Sequence, residues 1–476
     1  MRPRSTLLAL LTTAAVLSSA CGGDDDPFAL GPHPIVLVDL SSVRADRLGA
    51  YGFERPTSPR FDALAAESLR FEWTFASSPD GVPAQGSILT GRYPAGNGQL
   101  SESAPLPAEV DTLAELLRAA GWRTAAFVDG GYLSAGFGFD QGFEVYEDGR
   151  GKGFAESAAK AAAWLEDRAG DAEPFFLLLH GSDALPPFAP PASARELVAA
   201  DAAPATAGFE PTLRALASLT SSLGGEAPAN GDLAYAAALY DAELRAIDDT
   251  LGAFLDRLRE LGVLERATVV VISDHGQELG EHGATLNEGV YSTTTRVPFL
   301  MRLPGSLAAQ PVERVVQTAD LAPTLLDLTG VAVPNEMQGS SLVPWLRGQG
   351  RPPYVAFSDW ARPDGALAMA MAGYRLVAHR IPAAPNDVAD AADDAEVEAD
   401  DTAGAASPYR VELYHLLADP LEQHDLAAAE PQKTAVMLRR LEEWQRRMGA
   451  AASGEGEAES LDEERLQQLR DLGYIQ

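Results

Sequence analysis

The chain of 476 residues contains one cysteine, Cys21, so no disulfide can form within it. Basic side chains are scarce. Lys and Arg total 36 against 69 Asp and Glu, and the resulting net charge of −33 repels nucleic acid and anionic membrane surfaces, which excludes nucleic acid as a partner. Aromatic residues make up only 7 %, yet 46 % of the chain is hydrophobic, enough for one large or two medium domains with packed cores. Internal repeats are absent, and so is any apolar run long enough to span a bilayer stably; the run from Leu7 to Leu17 is too short.

That short run fits a secretory signal: Arg2 and Arg4 precede it and Ser18-Ser19-Ala20 follows. Cys21 comes next, and "CGGDDD" reads as a flexible acidic spacer. The arrangement resembles a bacterial lipoprotein signal, whose cysteine becomes the lipidated N-terminus, although Ser18 stands where that signal usually has Leu. Residues 1–21 are accordingly the signal and 22–33 an acidic, glycine-bearing linker. The expected location is the bacterial cell envelope, exported and held at the membrane by lipid on Cys21.

"IVLVDL" (35–40), "FFLLLHGSD" (175–183) and "TVVVIS" (268–273) are short apolar, largely β-branched or Leu-rich runs that break into polar turns, the pattern of strands buried on both faces. Between them, "TLAELLRAAG" (112–121) and "LYDAELRAIDDTLGAFLDRLRELG" (239–262) space apolar residues as helices do and stop at glycine. The alternation predicts an α/β fold over 34–340: a large, mainly parallel sheet covered by helices on both faces. Ligands of such sheets sit beyond the carboxyl ends of the strands, where Ser41, His180 and Asp274 fall. From 341 to 476 the texture changes to short strands, "PYVAFSDW", "GYRLVAHR" and "RVELYHLL", which predict a smaller α+β domain with a short antiparallel sheet. Residues 383–407, acidic and without Lys or Arg, read as a disordered surface insertion.

One position decides whether the chain is an enzyme. "SSPDGVPAQGSILTGRYP" (77–94) reads as a loop delivering Gly81 to a helix N-terminus, where free N–H groups stabilise negative charge and a nucleophile belongs. Glycine has no side chain to attack with. Asp274 and His275 in "SDHG" have a bland alternative, a strand-end carboxylate capping a turn with a histidine bonded to it. His33, His379, His415 and His424 read as surface or C-terminal-domain residues, and His180 as a satisfied core histidine.

Seven stretches together resemble the sulfatase family of the alkaline-phosphatase superfamily: "VRADRLGAYGFERPTSPRFDALAAESLRF" (43–71), "SILTGRYP" (87–94), "YDAELRAIDDTLGAFLDRLRELG" (240–262), "SDHGQELGEHG" (273–283), "RVPFLMRLPG" (296–305), "TADLAPTLLDLTGV" (318–331) and "LYHLLADPLEQHDL" (413–426). The resemblance implies a sulfuric ester hydrolase with a divalent metal (calcium, magnesium, manganese or zinc) and a formylglycine or Thr nucleophile. Carried over residue by residue, it puts Ser41, with Ser42 beside it, at the first metal-ligand position, Gly81 at the nucleophile, Gln85 at its basic partner, Leu185 at a histidine and Asn287 at a second basic residue. Only Asp274 and His275 match, as a metal-ligand pair; His282 is present in "GEHG", with a less defined role. Asp39 lies two residues before Ser41, about 6.6 Å along a strand, too far for bonds of roughly 2.0–2.6 Å unless the loop holds two extra residues.

A hydrolase of this class needs a metal, an attacking alkoxide and a group to stabilise the leaving oxygen. Each is replaced at its own distant position. The reading is therefore a sulfatase-fold pseudoenzyme anchored in the envelope, with no tightly bound metal and with an anionic saccharide or an envelope protein as its partner. The alternative is an active hydrolase of sulfate or phosphate esters with displaced residues, in which Asp39, Asp274 and His275 hold a metal whose bound water replaces the nucleophile.

Overall fold

The structure is a computed structural model; it describes residues 26, 28–130, 133–149, 151–168, 173–222, 231–305, 309–349, 355–381 and 407–452. The signal, Cys21, most of the acidic insertion and the C-terminal "LQQLRDLGYIQ" lie outside the described residues. Among those described, no helix is long and apolar enough to cross a membrane.

In chain order the strands are β1 (Ile35–Leu40), β2 (Leu69–Phe75), β3 (Arg123–Val128), β4 (Val145–Asp148), β5 (Phe175–Gly181), β6 (Thr268–Ile272), β7 (Glu278–Leu279), β8 (Thr285–Leu286), β9 (Arg296–Val297), β10 (Phe299–Arg302), β11 (Gln310–Gln317), β12 (Val355–Asp359), β13 (Ala366–Met371), β14 (Tyr374–Arg380) and β15 (Tyr409–His415). Nine of them form one sheet in the order β11-β2-β10-β6-β1-β5-β3-β4, with β9 added on β2. It is mainly parallel; β9 and β10 run against their neighbours. The continuous apolar runs follow from burial on both faces. Val36, Val38 and Leu40 of β1 enter one core layer with Leu177 and Leu179 of β5 and the helices 154–166 and 231–260. Ile35 and Leu37 enter the other, with Leu178 and the helices 81–90 and 321–329.

The second sheet, β12-β13-β14-β15, is antiparallel throughout. It begins at Val355, and Leu342 and Val343 before it still pack in the large core. The helix Pro431–Ala452 covers it through Met437, Leu441 and Trp444, and Trp444 stacks on Phe357 and meets Tyr93 of the large domain edge-on at 5.1 Å. This sheet closes one side of the site. Ser358 Oγ donates to the Ala76 carbonyl, and the Asp359 N–H donates to that of Ser77, just ahead of Gly81.

His282 helps hold the two domains together. Its ring stacks on Tyr291 at 3.7 Å, Nδ1 pairs with Glu278 at 2.8 Å and Nε2 lies 3.0 Å from the Leu421 carbonyl. Burial pulls this imidazole down, but the Glu278 hydrogen bond and charge carry it up to about 9. His33 departs from the expectation of a surface residue: it is buried beside β1, with Nε2 2.7 Å from Thr268 Oγ1, because the linker folds back onto the sheet there.

Candidate functional site

Two neighbouring strands bring the acidic groups together. β1 and β6 pair in parallel with Asp39 opposite Ile272, so Asp39 ends one strand as Asp274 leaves the other. Both carboxyls are buried. Between them lies Gln85, from the second turn of the helix Gly81–Thr90; its Nε2 donates to Asp39 Oδ2 and, at 3.0 Å, to Asp274 Oδ2. A side chain therefore spans the gap that strand spacing alone leaves between Asp39 and the rest. Burial and the Asp274 charge hold the Asp39 carboxyl well above the usual carboxylate range, with the Gln85 bond working against them.

The two serines complete this network. Ser41 Oγ donates to Asp274 Oδ2 at 3.1 Å, and the Ser42 N–H donates to Asp274 Oδ1 at 3.2 Å. Ser42 sits at φ 64°, a left-handed conformation that costs a non-glycine residue energy; its Oγ reaches His275 Nδ1 at 3.3 Å and Gln277 Oε1 at 3.4 Å. His180, in register with Asp39 on β5, is buried as expected but not satisfied: its Nδ1 has no partner, and burial lowers its pKa to about 4. Asp39 Oδ1, Gln85 Oε1, His275 Nε2 and Gln277 Nε2 also make no hydrogen bond, and His275 Nε2 lies 3.7 Å from Asp274 Oδ2.

These donors do not suit a divalent cation. An N–H, which a cation would repel, faces both carboxylates; a hydroxyl that donates to Asp274 replaces the first ligand; and among the described residues no three His, Cys, Asp or Glu side chains converge as a metal-holding group.

Gly81 is the first residue of its helix, as the sequence predicts, and Asp80 is the N-cap. Asp80 makes no capping bond; its Oδ1 lies 3.3 Å from the Arg362 guanidinium at the tip of the second sheet. The cap is instead Glu102, a residue that sequence reasoning misses because it lies in an irregular loop 21 positions away. Its Oε1 accepts from the Gly81 N–H at 2.9 Å and its Oε2 from the Val82 N–H at 3.0 Å. Burial first and Asp80 second push this carboxyl up to about 8, against the pull of the two N–H groups. Asn287 Nδ2 donates to the Pro79 carbonyl at 3.1 Å and lies 3.5 Å from Glu102 Oε1, so it belongs to this second cluster.

Leu185 joins neither cluster. It lines a cavity of about 510 Å³ beyond the ends of β3 and β5, together with Asp129, Ser182, Asp183, Glu243 and Asp249; no Lys, Arg or His is among the described residues lining it.

Residues 34–331 match the sequence profile of the Sulfatase family. The chain is 26 % identical to an N-acetylglucosamine-6-O-sulfatase of Bacteroides thetaiotaomicron over 75 % of its own length and 77 % of the relative's. It is 27 % identical to human arylsulfatase A over 93 % and 90 % respectively. In architecture it resembles the phosphonate monoester hydrolase of Agrobacterium radiobacter, with a TM-score of 0.67 at 19 % identity, covering 87 % of this chain and 96 % of that one. The chain belongs to the sulfatase family of the alkaline-phosphatase superfamily.

Proposed function

We propose that this protein is a pseudoenzyme of the sulfatase family, anchored in the cell envelope by lipid on Cys21, with no divalent metal bound and no ester hydrolysis at the family's site. The observation that carries this reading is Gln85: its amide N–H lies between the two carboxylates that a cation would have to join. Gly81 supports it, having no side chain to attack an ester. The acidic cavity and the net charge of −33 disfavour an anionic saccharide, which leaves an envelope protein as the partner and scaffolding as the role.

The second reading, a working hydrolase with displaced residues, draws on Asp39 Oδ1, His275 Nε2 and His180 Nδ1, buried polar atoms without hydrogen bonds and of the kinds that bind metals. Assay of the purified protein against aryl sulfate, aryl phosphate and phosphonate monoesters, with and without Ca²⁺, Mg²⁺, Mn²⁺ and Zn²⁺, separates the two. No turnover is expected. Turnover that Asp274→Ala abolishes overturns the pseudoenzyme.

A further inference from the structure

Where Asp241 and Glu422 are buried, each meets a guanidinium: Asp241, on the helix 231–260, lies 3.3 Å from Arg47 and 3.0 Å from Arg55, and Glu422 lies 3.4 Å from Arg375. Glu243, two residues after Asp241 on the same helix, has no such partner. It is 7 % exposed, its Oε1 accepts the Ala189 N–H at 2.6 Å, and among the described residues no donor reaches its Oε2. This side chain lines the cavity of about 510 Å³ beyond the ends of β3 and β5.

Two further buried or half-buried acids line the same space. Asp129, 3 % exposed, accepts the Gly153 N–H and the Ser182 hydroxyl, each at 2.6 Å, and Asp183 accepts the Phe154 N–H at 2.7 Å. All of these donors are neutral. They fix the carboxylates at the start of the helix 154–166 without balancing their charge, and Asp249, the fourth acid of the lining, is exposed and already paired with Arg245 at 3.1 Å. Burial pushes the Glu243 carboxyl up to about 7 against the pull of the Ala189 N–H, and the Asp183 charge adds to the push. The rest of the lining is of another kind. Phe154, Ile247 and Pro186 give it apolar walls, so the cavity offers an alkyl chain a surface and a cationic head three carboxylates, at a size that holds a small organic molecule. A divalent metal does not fit, because among the described residues no three His, Cys, Asp or Glu side chains converge to hold one.

We propose that this cavity binds an alkylammonium ion, with Glu243, Asp129 and Asp183 taking the ammonium group and the apolar walls its carbon chain. Free polyamines and the lysine side chain of a partner protein share that chemistry. The inference goes beyond the pseudoenzyme reading and does not depend on it, since no residue lining the cavity belongs to the Gln85 or the Gly81 cluster.

The test is titration calorimetry of the full-length protein at fixed ionic strength and at pH 8, above the value of about 7 for Glu243. The probes are 1,5-diaminopentane, spermidine and N-acetyl-lysine amide, with 1,5-pentanediol as the uncharged analogue. Saturable binding of one amine per chain is expected, and none of the diol. Glu243→Gln, which keeps the size of the side chain and an acceptor for the Ala189 N–H, should weaken amine binding at least tenfold. Ala246→Trp fills the cavity and leaves every carboxylate in place; it should do the same, and it covers the case in which Glu243→Gln does not fold. Binding of the diamine and spermidine without the lysine amide gives the site to a free polyamine, whereas binding of the lysine amide extends it to a partner's lysine. A wild type with no saturable amine binding overturns the proposal. So does binding that both variants leave unchanged, which would be attraction to the overall negative charge of the chain. Binding seen only in Arg150→Ala overturns it as well, since this residue, next to Gly151 of the lining and outside the described residues, would then supply the cavity's cation.

Discussion

Replacing Gln85 by Ala tests the central feature of the site. The change removes two hydrogen bonds, one to Asp39 Oδ2 and one to Asp274 Oδ2, and leaves both buried acids facing each other. A bond to an ionised acceptor contributes roughly 1.5–3 kcal/mol and one to a neutral acceptor about 1 kcal/mol. Burial and the Asp274 charge raise Asp39 and so favour its neutral form, and its bond is counted at the lower figure. The expected loss is then about 2.5–4 kcal/mol, a fall in Tm of roughly 4–6 °C for a domain this large. The same variant opens a gap between two carboxyls that a cation can fill. Ca²⁺ or Mn²⁺ should return about 2.7 kcal/mol to Gln85→Ala at a hundred times its dissociation constant, while the wild type, whose gap the amide occupies, gains nothing from the ion and loses less than about 1 kcal/mol in EDTA. Denaturant unfolding with each ion and with chelator measures all four quantities. A wild type stabilised by metal as strongly as the variant, or a Gln85→Ala cost below about 1 kcal/mol, would refute the reasoning.

Three further outcomes are expected. Cys21→Ala should move the protein from the membrane to the soluble fraction; a wild type that is already soluble on fractionation contradicts the lipid anchor. His282, raised from 6.5 to about 9, contributes stability that is complete below pH 6.5 and lost as pH rises through 9. The gap in unfolding free energy between wild type and His282→Asn should shrink by on the order of 2–3 kcal/mol across that window, and a gap that stays constant rejects the Glu278 pairing as its source. Finally, Gly81→Thr should produce no ester turnover, and adding Ser41→Asp, Leu185→His and Asn287→His should still not bring in a metal until Gln85→Ala is included. Stoichiometric metal in the quadruple variant, found by elemental analysis, would show that Gln85 is not the obstacle.

Most of the large domain is legible in the chain because its strands are buried on both faces and its helices are punctuated. "IVLVDL" is β1 without adjustment, "TVVVI" is β6, and the helix after Thr112 starts where a Thr-x-x-Glu capping box announces it. In the smaller sheet three of four strands show themselves by aromatic and β-branched residues, whereas β13, "ALAMAM", carries neither and borrows its strand character from β12 and β14 on either side. Asp39 is harder to place. Strand spacing puts it out of reach of a metal centred on Ser41, and that distance argument holds, but it says nothing of a Gln side chain long enough to cross from another helix. Glu102 leaves no trace at all, since its role depends on a fold that returns a polar loop to a helix start, and neither periodicity nor turn composition encodes that return.

The two clusters share a logic that a count of lost family residues does not reveal. Removing a cation from between buried carboxylates leaves like charges unscreened in a low dielectric, a condition that unfolds proteins unless something else neutralises it. Here the side chains compensate one another: the Gln85 amide donates to one oxygen of Asp39 and to Asp274, the Ser41 and Ser42 donors add to Asp274, and the two free N–H groups of Gly81 and Val82 receive Glu102. Each replacement makes sense only with its partners in place, so a misaligned motif would not produce them; random drift of a site without function would leave more of these groups unsatisfied. Satisfaction is nevertheless uneven. The helix start is complete, with both free donors used, while the strand ends retain Asp39 Oδ1, Gln85 Oε1, His180 Nδ1, His275 Nε2 and Gln277 Nε2 without hydrogen bonds. His275 Nε2 has only its 3.7 Å approach to Asp274 Oδ2, so the strand-end cluster is held chiefly by the Gln85 amide and the two serine donors, and Gln85→Ala is the perturbation to which it should respond most.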